Sequence, residues 1–365
     1  MAQRTNDPSS PQETAPDKVN GEPIDSQAMK SFSPIKLIIP VVIGLLVTAY
    51  LFYQEFSDKD ISRVSFTLGT LLTLIPAVLL MFLRDFCNIY RFRLLTSPEH
   101  LSWMQAFRIN LLCEFTSAVT PSAVGGSSLV AVFFKVEGIS AGRGISVMIS
   151  ALFLDELFFV VACPLLFLFF HESQLWGANQ GIAVEVETVL KGVYLLILLW
   201  TTILFCALFY APAHVRRLLH WLAARRWLKR IRKGLEEFGD NLLLSSRQMK
   251  GLSIRFWLKA FGTTAVAWTS RFAVVCALLF PFVEWGDQWL VLARQLMCWI
   301  VMTVSPTPGG SGFSEYLFKE YYSDMIPGGM TMILALLWRV ATYYLYLIGG
   351  FVLLPAWFKN RVLKK

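Results

Sequence analysis

Apolar residues along the chain come in blocks of about 20, with Trp and Tyr often at the block edges. A helix of about 20 residues spans the roughly 30 Å hydrocarbon core of a bilayer. Uninterrupted blocks predict spans at residues 35–56, 64–83, 144–170, 189–210, 252–283 and 329–357. Two further apolar stretches, 101–134 and 288–323, are broken near the middle. Pro121 and Gly125-Gly126 break the first; Pro306, Pro308, Gly309, Gly310 and Gly312 break the second. The pattern predicts an all-α polytopic membrane protein: about six full spans plus two broken, re-entrant hairpins, up to eight transmembrane helices in all.

The polar segments set the boundaries. Residues 1–33 are rich in Pro, Ser, Asp, Glu and Gln with almost no aromatics. They cannot bury enough apolar surface to order, so they are expected to form a disordered tail, and they lack a signal-peptide layout. Residues 34–357 form the membrane domain, and 358–365 a basic tail. Between two spans, segment 212–250 carries Arg216, Arg217, Arg225, Arg226, Lys229, Arg230, Arg232 and Lys233. Its apolar residues Val215, Leu218, Leu219, Leu222, Trp227, Leu228 and Ile231 recur at helical spacing, predicting an amphipathic helix on the membrane surface. Lys and Arg stay cytoplasmic, which places this segment and both termini inside. The stretch Arg84, Arg91 and Arg93 then reads as an inside loop, and the acidic loop around Glu172, Glu185 and Glu187 as outside.

That topology closes only if each broken stretch starts and ends on one side, and it divides the chain into two repeats, 34–170 and 189–357, of opposite orientation. Arg108 lies 17 residues before Gly125 and Arg294 lies 15 before Gly309; Asp155 and Arg339 each lie 30 residues after those glycines. Inverted repeats with broken helices near the midplane are a transporter signature.

Composition narrows the class. The 365 residues are 55% hydrophobic and 16% charged, with mean hydropathy +0.54, against about 25% charged in soluble domains. A soluble enzyme, a disordered protein and a disulfide scaffold are excluded. The net charge of +8 reports topology before nucleic acid in such a chain, so no nucleic-acid partner is expected. Six Cys without C-x-x-C spacing and four His without H-E-x-x-H suggest no metal and no cofactor.

The candidate chemistry lies at the breaks and at the intramembrane charges. Gly125, Gly126, Ser127 and Ser128, and Gly309, Gly310, Ser311 and Gly312, would stand at helix N-termini. Free N–H groups and the helix dipole there favour an anion such as a lipid phosphate; the same glycines also suit tight turns and close helix packing alone. Gly309-Gly310-Ser311-Gly312 matches the G-x-S-G of intramembrane serine proteases, but no His follows His220 to act as base. Glu114, Asp155, Glu156, Arg271, Arg294 and Arg339 are costly inside a membrane, so they should face a cavity and pair. The matching offsets suggest that Asp155 or Glu156 pairs with Arg339.

The run Pro306-Thr-Pro-Gly-Gly-Ser-Gly-Phe-Ser-Glu315 fits a Pro-x-Pro-Gly-Gly-x-Gly-x-x-Glu pattern. Here the chain resembles the lysylphosphatidylglycerol synthase transmembrane-domain family, also called the flippase-like domain family. Pro121 to Gly126, Leu154-Asp155-Glu156 and the Trp338-Arg339 with Tyr343-Tyr344 also fit, over about residues 35–357. The family commonly has an acidic residue after the first Gly-Gly, where this chain has Ser127-Ser128. In the multiple peptide resistance factors this domain is fused to a soluble aminoacyl-transferase and is implicated in moving its lipid product between leaflets. The resemblance implies a lipid-headgroup site that includes Pro121, Pro306, Pro308 and Glu315. It implies no transferase activity here, because the soluble domain is absent from these 365 residues.

The expected function is translocation of a polar or anionic phospholipid derivative or lipid-linked intermediate in a bacterial inner membrane, with anionic headgroups as partners. Two alternatives stay open: a membrane subunit of a lipid-modifying enzyme, and a non-transporting anchor for a cytoplasmic partner.

Overall fold

The computed structural model describes residues 68–97, 99–119, 124–177, 180–225, 232–303, 305, 307, 309–327 and 329–361, with isolated positions 46, 49, 50 and 53 before them. The expected tail 1–33, most of the first expected span 35–56, Pro121, Pro306, Pro308 and residues 362–365 lie outside the described residues. Among the described residues the structure is helical, with no strand.

Five helices are long and apolar enough to cross a membrane: Leu68–Leu95 (α1), Gly142–Phe169, Lys191–Tyr210, Ile254–Leu279 and Thr331–Pro355. They correspond to the five expected spans within the described residues. Gly142–Phe169 lies within α4 (Ala141–Phe169), and Lys191–Tyr210 combines most of α5 (Gln180–Phe205) with a wide π turn at Cys206–Tyr210. Ile254–Leu279 is α8. Thr331–Pro355 joins α11 (Thr331–Arg339) to α12 (Leu345–Arg361) through a second π turn at Val340–Tyr344. Large apolar side chains such as Leu168, Phe169, Leu195, Leu196 and Val352 stand exposed on these helices, as lipid-facing positions must.

Each broken stretch is a pair of helices. The first is α2 (Trp103–Val119) and α3 (Val124–Val136); the second is α9 (Gln288–Met302) and α10 (Phe313–Tyr322). At 1.5 Å per residue these arms measure about 26, 20, 22 and 15 Å, each shorter than a hydrocarbon core. Equivalent clasps tie the two ends of each pair. Arg108 donates to both carboxylate oxygens of Glu137 (2.8 and 2.7 Å), and Arg294 to both of Asp324 (2.6 and 2.8 Å).

The clasped ends lie at opposite ends of α4. Beside its N-terminus, Arg143 donates to the carbonyls of Leu95 and Ser97. Just past its C-terminus, the Gln174 carbonyl accepts from Arg294 (2.8 Å). The apolar interior divides in the same way. One core joins Val147, Ile149, Phe153 and Leu154 of α4 to α2, α3 and Trp357; the other joins Phe158, Phe159 and Cys163 to α8, α9, α10 and α11. A small third cluster of Phe115, Ala118, Val119, Tyr343 and Leu347 lies where the tip of the α2–α3 pair meets the second half.

Two expectations are corrected here. The stretch Arg84–Arg93 is not a loop: α1 continues through it to Leu95, with Arg84 and Arg91 buried. Their charges are met by carboxylates, so the helix stays in the interior where hydropathy alone ends it. The basic segment 212–250 is also more than one helix lying on a surface. It forms α6 (Pro212–Ala223) and α7 (Arg232–Met249), which pack on each other. α7 in turn packs on α4, where a Cβ on Gly142 would meet the Leu244 side chain at 2.9 Å. Outside the membrane spans, the hydrogen bond from Arg216 (2.5 Å) holds the Asp240 carboxyl below the usual carboxylate range and links α6 to α7.

Candidate functional site

A cavity of about 450 Å³ lies between the two halves, inside the 300–1,000 Å³ range usual for ligand pockets. Charged residues reach it from five helices. Arg84 and Arg91 come from α1, Glu114 from α2, Asp155 and Glu156 from α4, Arg271 from α8 and Arg339 from α11. Leu152, Asp155, Glu156 and Phe159 line it from one face of α4, at the i, i+3, i+4, i+7 spacing of a single helical stripe. Arg84, Asn88 and Arg91 form the corresponding stripe on α1.

Burying a charge is costly unless it is paired and hydrogen-bonded, and most of these groups are. Arg91 donates to Asp155 (2.5 and 3.3 Å) and to Thr264, and the Trp268 indole donates to the same carboxylate (2.9 Å). Arg84 donates to Glu114 and to Asp85, and Asp85 also accepts from the Tyr346 hydroxyl (2.7 Å) and Asn110.

Arg339 organises the second break. It pairs with fully buried Glu315 (3.2 Å) and donates to the Gly309 carbonyl (3.0 Å) and the Ser311 hydroxyl (3.1 Å). Glu315 in turn accepts from the Gly312 backbone N–H (2.8 Å) and the Ser314 hydroxyl (2.7 Å). The N-terminus of α10 is therefore capped by this chain's own carboxylate, the arrangement a helix dipole favours. The expected pairing of Arg339 with Asp155 or Glu156 is corrected: Asp155 bonds to Arg91 and Arg339 to Glu315. Equal offsets in sequence did not pair Asp155 with Arg339: Arg91 of α1 holds the first and Glu315 of α10 the second.

Gly309 needs to be glycine twice over. Its φ is +57°, in the left-handed region. A Cβ there would also strike the Tyr343 ring and sit 2.8 Å from the Ala118 carbonyl. Tyr343 stacks on the Arg339 guanidinium (3.9 Å) and donates its hydroxyl to that same Ala118 carbonyl (3.2 Å). Ala118 is the penultimate residue of α2, so the end of the first pair's first arm meets the second break at the cavity. At the first break, Gly125, Gly126, Ser127 and Ser128 fall in the opening turns of α3, the expected place.

Arg271 and Glu156 differ from the rest. Arg271 stacks on Trp299 (4.4 Å) and lies 3.7 Å from Glu114, yet no hydrogen bond satisfies its guanidinium among the described residues. Glu156 has neither an ion pair nor a hydrogen bond among the described residues. Phe159, Trp268 and Trp299 form an aromatic wall beside them, with Trp268 centroids 4.8 Å from Phe159 and 5.2 Å from Trp299.

Of the residues singled out from sequence, Glu114, Asp155, Glu156, Arg271, Arg339, Gly309 and Gly310 line the cavity. Ser311, Gly312 and Glu315 stand behind it as support for Arg339. Arg294 does not reach it; its donors are taken by Asp324, Gln174 and Tyr321. Sequence reasoning missed Arg84, Arg91, Asp85, Trp268, Trp299 and Tyr346. The i, i+4, i+7 polar stripe at 84, 88 and 91, running through otherwise apolar sequence, was the available signal. Among the described residues no group of His, Cys, Asp and Glu could hold a metal ion, and the six Cys are unpaired.

Residues 37–350 match the family described as lysylphosphatidylglycerol synthase TM region. The chain is also similar to a UPF0104 membrane protein of Archaeoglobus fulgidus, 22% identical over 320 residues that cover 86% of this chain and 94% of that one. With the match running over most of its length, to within α12, the chain belongs to the lysylphosphatidylglycerol synthase TM region family.

Proposed function

We propose that this membrane protein translocates a phospholipid derivative or lipid-linked intermediate between leaflets, passing the headgroup through the cavity between the two hairpin tips. The observation that carries this reading is Arg271. It is a guanidinium inside a membrane cavity, backed by aromatic rings, with hydrogen-bond donors that no described residue takes up. Arginine presents a planar fork matched to phosphate oxygens. Arg294 and Arg339, also candidates from sequence, are occupied in structural pairs.

The arrangement of the halves supports an inverted repeat. The clasps Arg108–Glu137 and Arg294–Asp324 join residues 29 and 30 apart, close opposite ends of α4, and tie equivalent hairpins. Arms too short to cross a bilayer support re-entrant hairpins entering from opposite sides, with broken backbone at the midplane where it lines a cavity. The basic α6–α7 pair lies at the Arg143 end of α4 and the acidic residues Glu284, Asp287 and Asp324 at the other. This supports a cytoplasmic location for the Arg143 end in a bacterial inner membrane.

Reconstitution into vesicles carrying a labelled phospholipid tests the function. Leaflet exchange well above that of protein-free vesicles is expected, and Arg271→Gln should slow it about tenfold or more, as loss of a charged hydrogen bond predicts. Exchange no faster than in protein-free vesicles would falsify the proposal.

A further inference from the structure

The charges around the cavity balance without Glu156. Arg84 pairs with Asp85 and Glu114, Arg91 with Asp155, Arg271 with Glu114 (3.7 Å) and Arg339 with Glu315 (3.2 Å). Four guanidiniums therefore face four carboxylates, and Glu156 is a fifth carboxyl on the cavity wall. It has no ion pair and no hydrogen bond among the described residues. Its surroundings hold no cation to spare. On α4 itself the neighbouring Asp155 is held by Arg91 and the Trp268 indole. The charged groups that line the cavity from α1, α2, α8 and α11 are those already paired, and α12 adds Tyr346, bonded to Asp85. The second π turn adds Tyr343, bonded to Ala118. α5 adds Ile197 to the wall, and its Tyr194 hydroxyl is given to the Val160 carbonyl (3.3 Å). α9 adds only the uncharged Trp299, Ile300 and Met302. α3 and α7 pack on α4 beside Gly144 and Gly142, at its Arg143 end.

We propose that Glu156 is a proton-carrying site: it takes up a proton as the lipid phosphate enters the cavity and gives it up once the headgroup has left, so that proton and headgroup cross together. The inference rests on the proposed lipid-translocating role. An ionised carboxylate without a partner is costly inside a membrane, and such a group neutralises by taking a proton instead. A phosphate brought to Arg271 adds a negative charge to a set that already balances, and an ionised Glu156 would face it as a second one. Protonation removes that repulsion, so proton and phosphate each favour binding of the other, by the same factor in both directions. The proton comes from water on the side where the headgroup enters and returns to water on the side where it leaves. The Glu156 O–H bond is the one bond that forms and breaks.

Binding and exchange are read separately, so that the two proposals can fail independently. A fluorescent short-chain phosphatidylglycerol, whose phosphate stays ionised throughout, is titrated against the purified protein in detergent on the acid and the alkaline side of neutrality. Wild type should bind it about fivefold or more tightly at the acid pH. Glu156→Gln, which keeps the side-chain shape, breaks no pair and is fixed in the neutral form, should bind equally at both. Glu156→Asp, which still titrates, should keep the dependence. In vesicles, an imposed pH gradient should speed wild-type movement of the same lipid toward the alkaline side, and a proton ionophore should abolish the gain.

Affinity independent of pH in wild type, or an unchanged pH dependence in Glu156→Gln, would overturn the inference even if the protein exchanges lipid. Wild-type exchange that ignores the gradient would overturn the coupling of proton to passage. Affinity that depends on pH through Glu156 without any leaflet exchange would uphold the joint binding of proton and phosphate while removing the translocation reading.

Discussion

Arg339 makes an ion pair with Glu315, donates to a backbone carbonyl and a hydroxyl of the second break, and lies under the Tyr343 ring. Both charged partners are almost fully buried. Removing one leaves the other uncompensated, so Arg339→Met or Glu315→Leu alone should cost on the order of 3–5 kcal/mol. The double substitution should cost clearly less than the sum, because the second change removes no further pair. Thermal melting in detergent checks this; additive losses would show that the two residues act independently. Gly309→Ala tests the tip contact. A methyl group at φ +57° against Tyr343 and the Ala118 carbonyl must displace one of them. We expect a loss of about 1–3 kcal/mol with reduced exchange. At this scale the sequence was legible where a residue is special for its own backbone, as at Gly309, and opaque where it depends on a partner far along the chain. Arg91 is the example: its carboxylate is 64 residues away, and without that partner in view an Arg at the end of an apolar block reads as the end of a span.

The hairpin clasps belong to the scale of elements. Arg108–Glu137 also receives the Trp357 indole, which donates to Glu137 (2.7 Å); Arg294–Asp324 is reinforced by two backbone carbonyls. Each clasp fixes the ends of one helix pair, while Ala118 of the first and Gly309 of the second lie at the cavity. Glu137→Gln and Asp324→Asn should each lower the melting temperature and speed amide exchange in their own hairpin. Their effects should add to within about 0.5 kcal/mol, since the sites share no partner. Strong non-additivity would contradict two separate units. The five long spans and both helix pairs were legible because apolar block length and Pro-Gly interruption are local properties. The α6–α7 pair was only half legible. Its helical period showed, but the packing of α7 on α4 at Gly142 depends on tertiary contact that a charge run does not reveal.

At the scale of the molecule, the two helix pairs are clasped at opposite ends of α4, a helix of 29 residues and about 43 Å, and the proposed inverted arrangement has them enter from opposite sides toward the charged cavity. Single cysteines at Ser97 and Ser323, both exposed and at opposite ends, should be labelled by an impermeant reagent from opposite sides of the membrane in a background lacking the native cysteines. Labelling from the same side would break the inverted arrangement. The most direct test of passage through the cavity uses Ser117, whose side chain lines it from α2 next to the Ala118 contact. Vesicles holding a fluorescent phospholipid are treated with an impermeant quencher, and the protected inner-leaflet signal is followed for wild type and Ser117→Trp. Wild type is predicted to lose that protection, and the folded Ser117→Trp protein, its cavity filled by an indole, to retain it. Equal loss of protection in both would contradict the account.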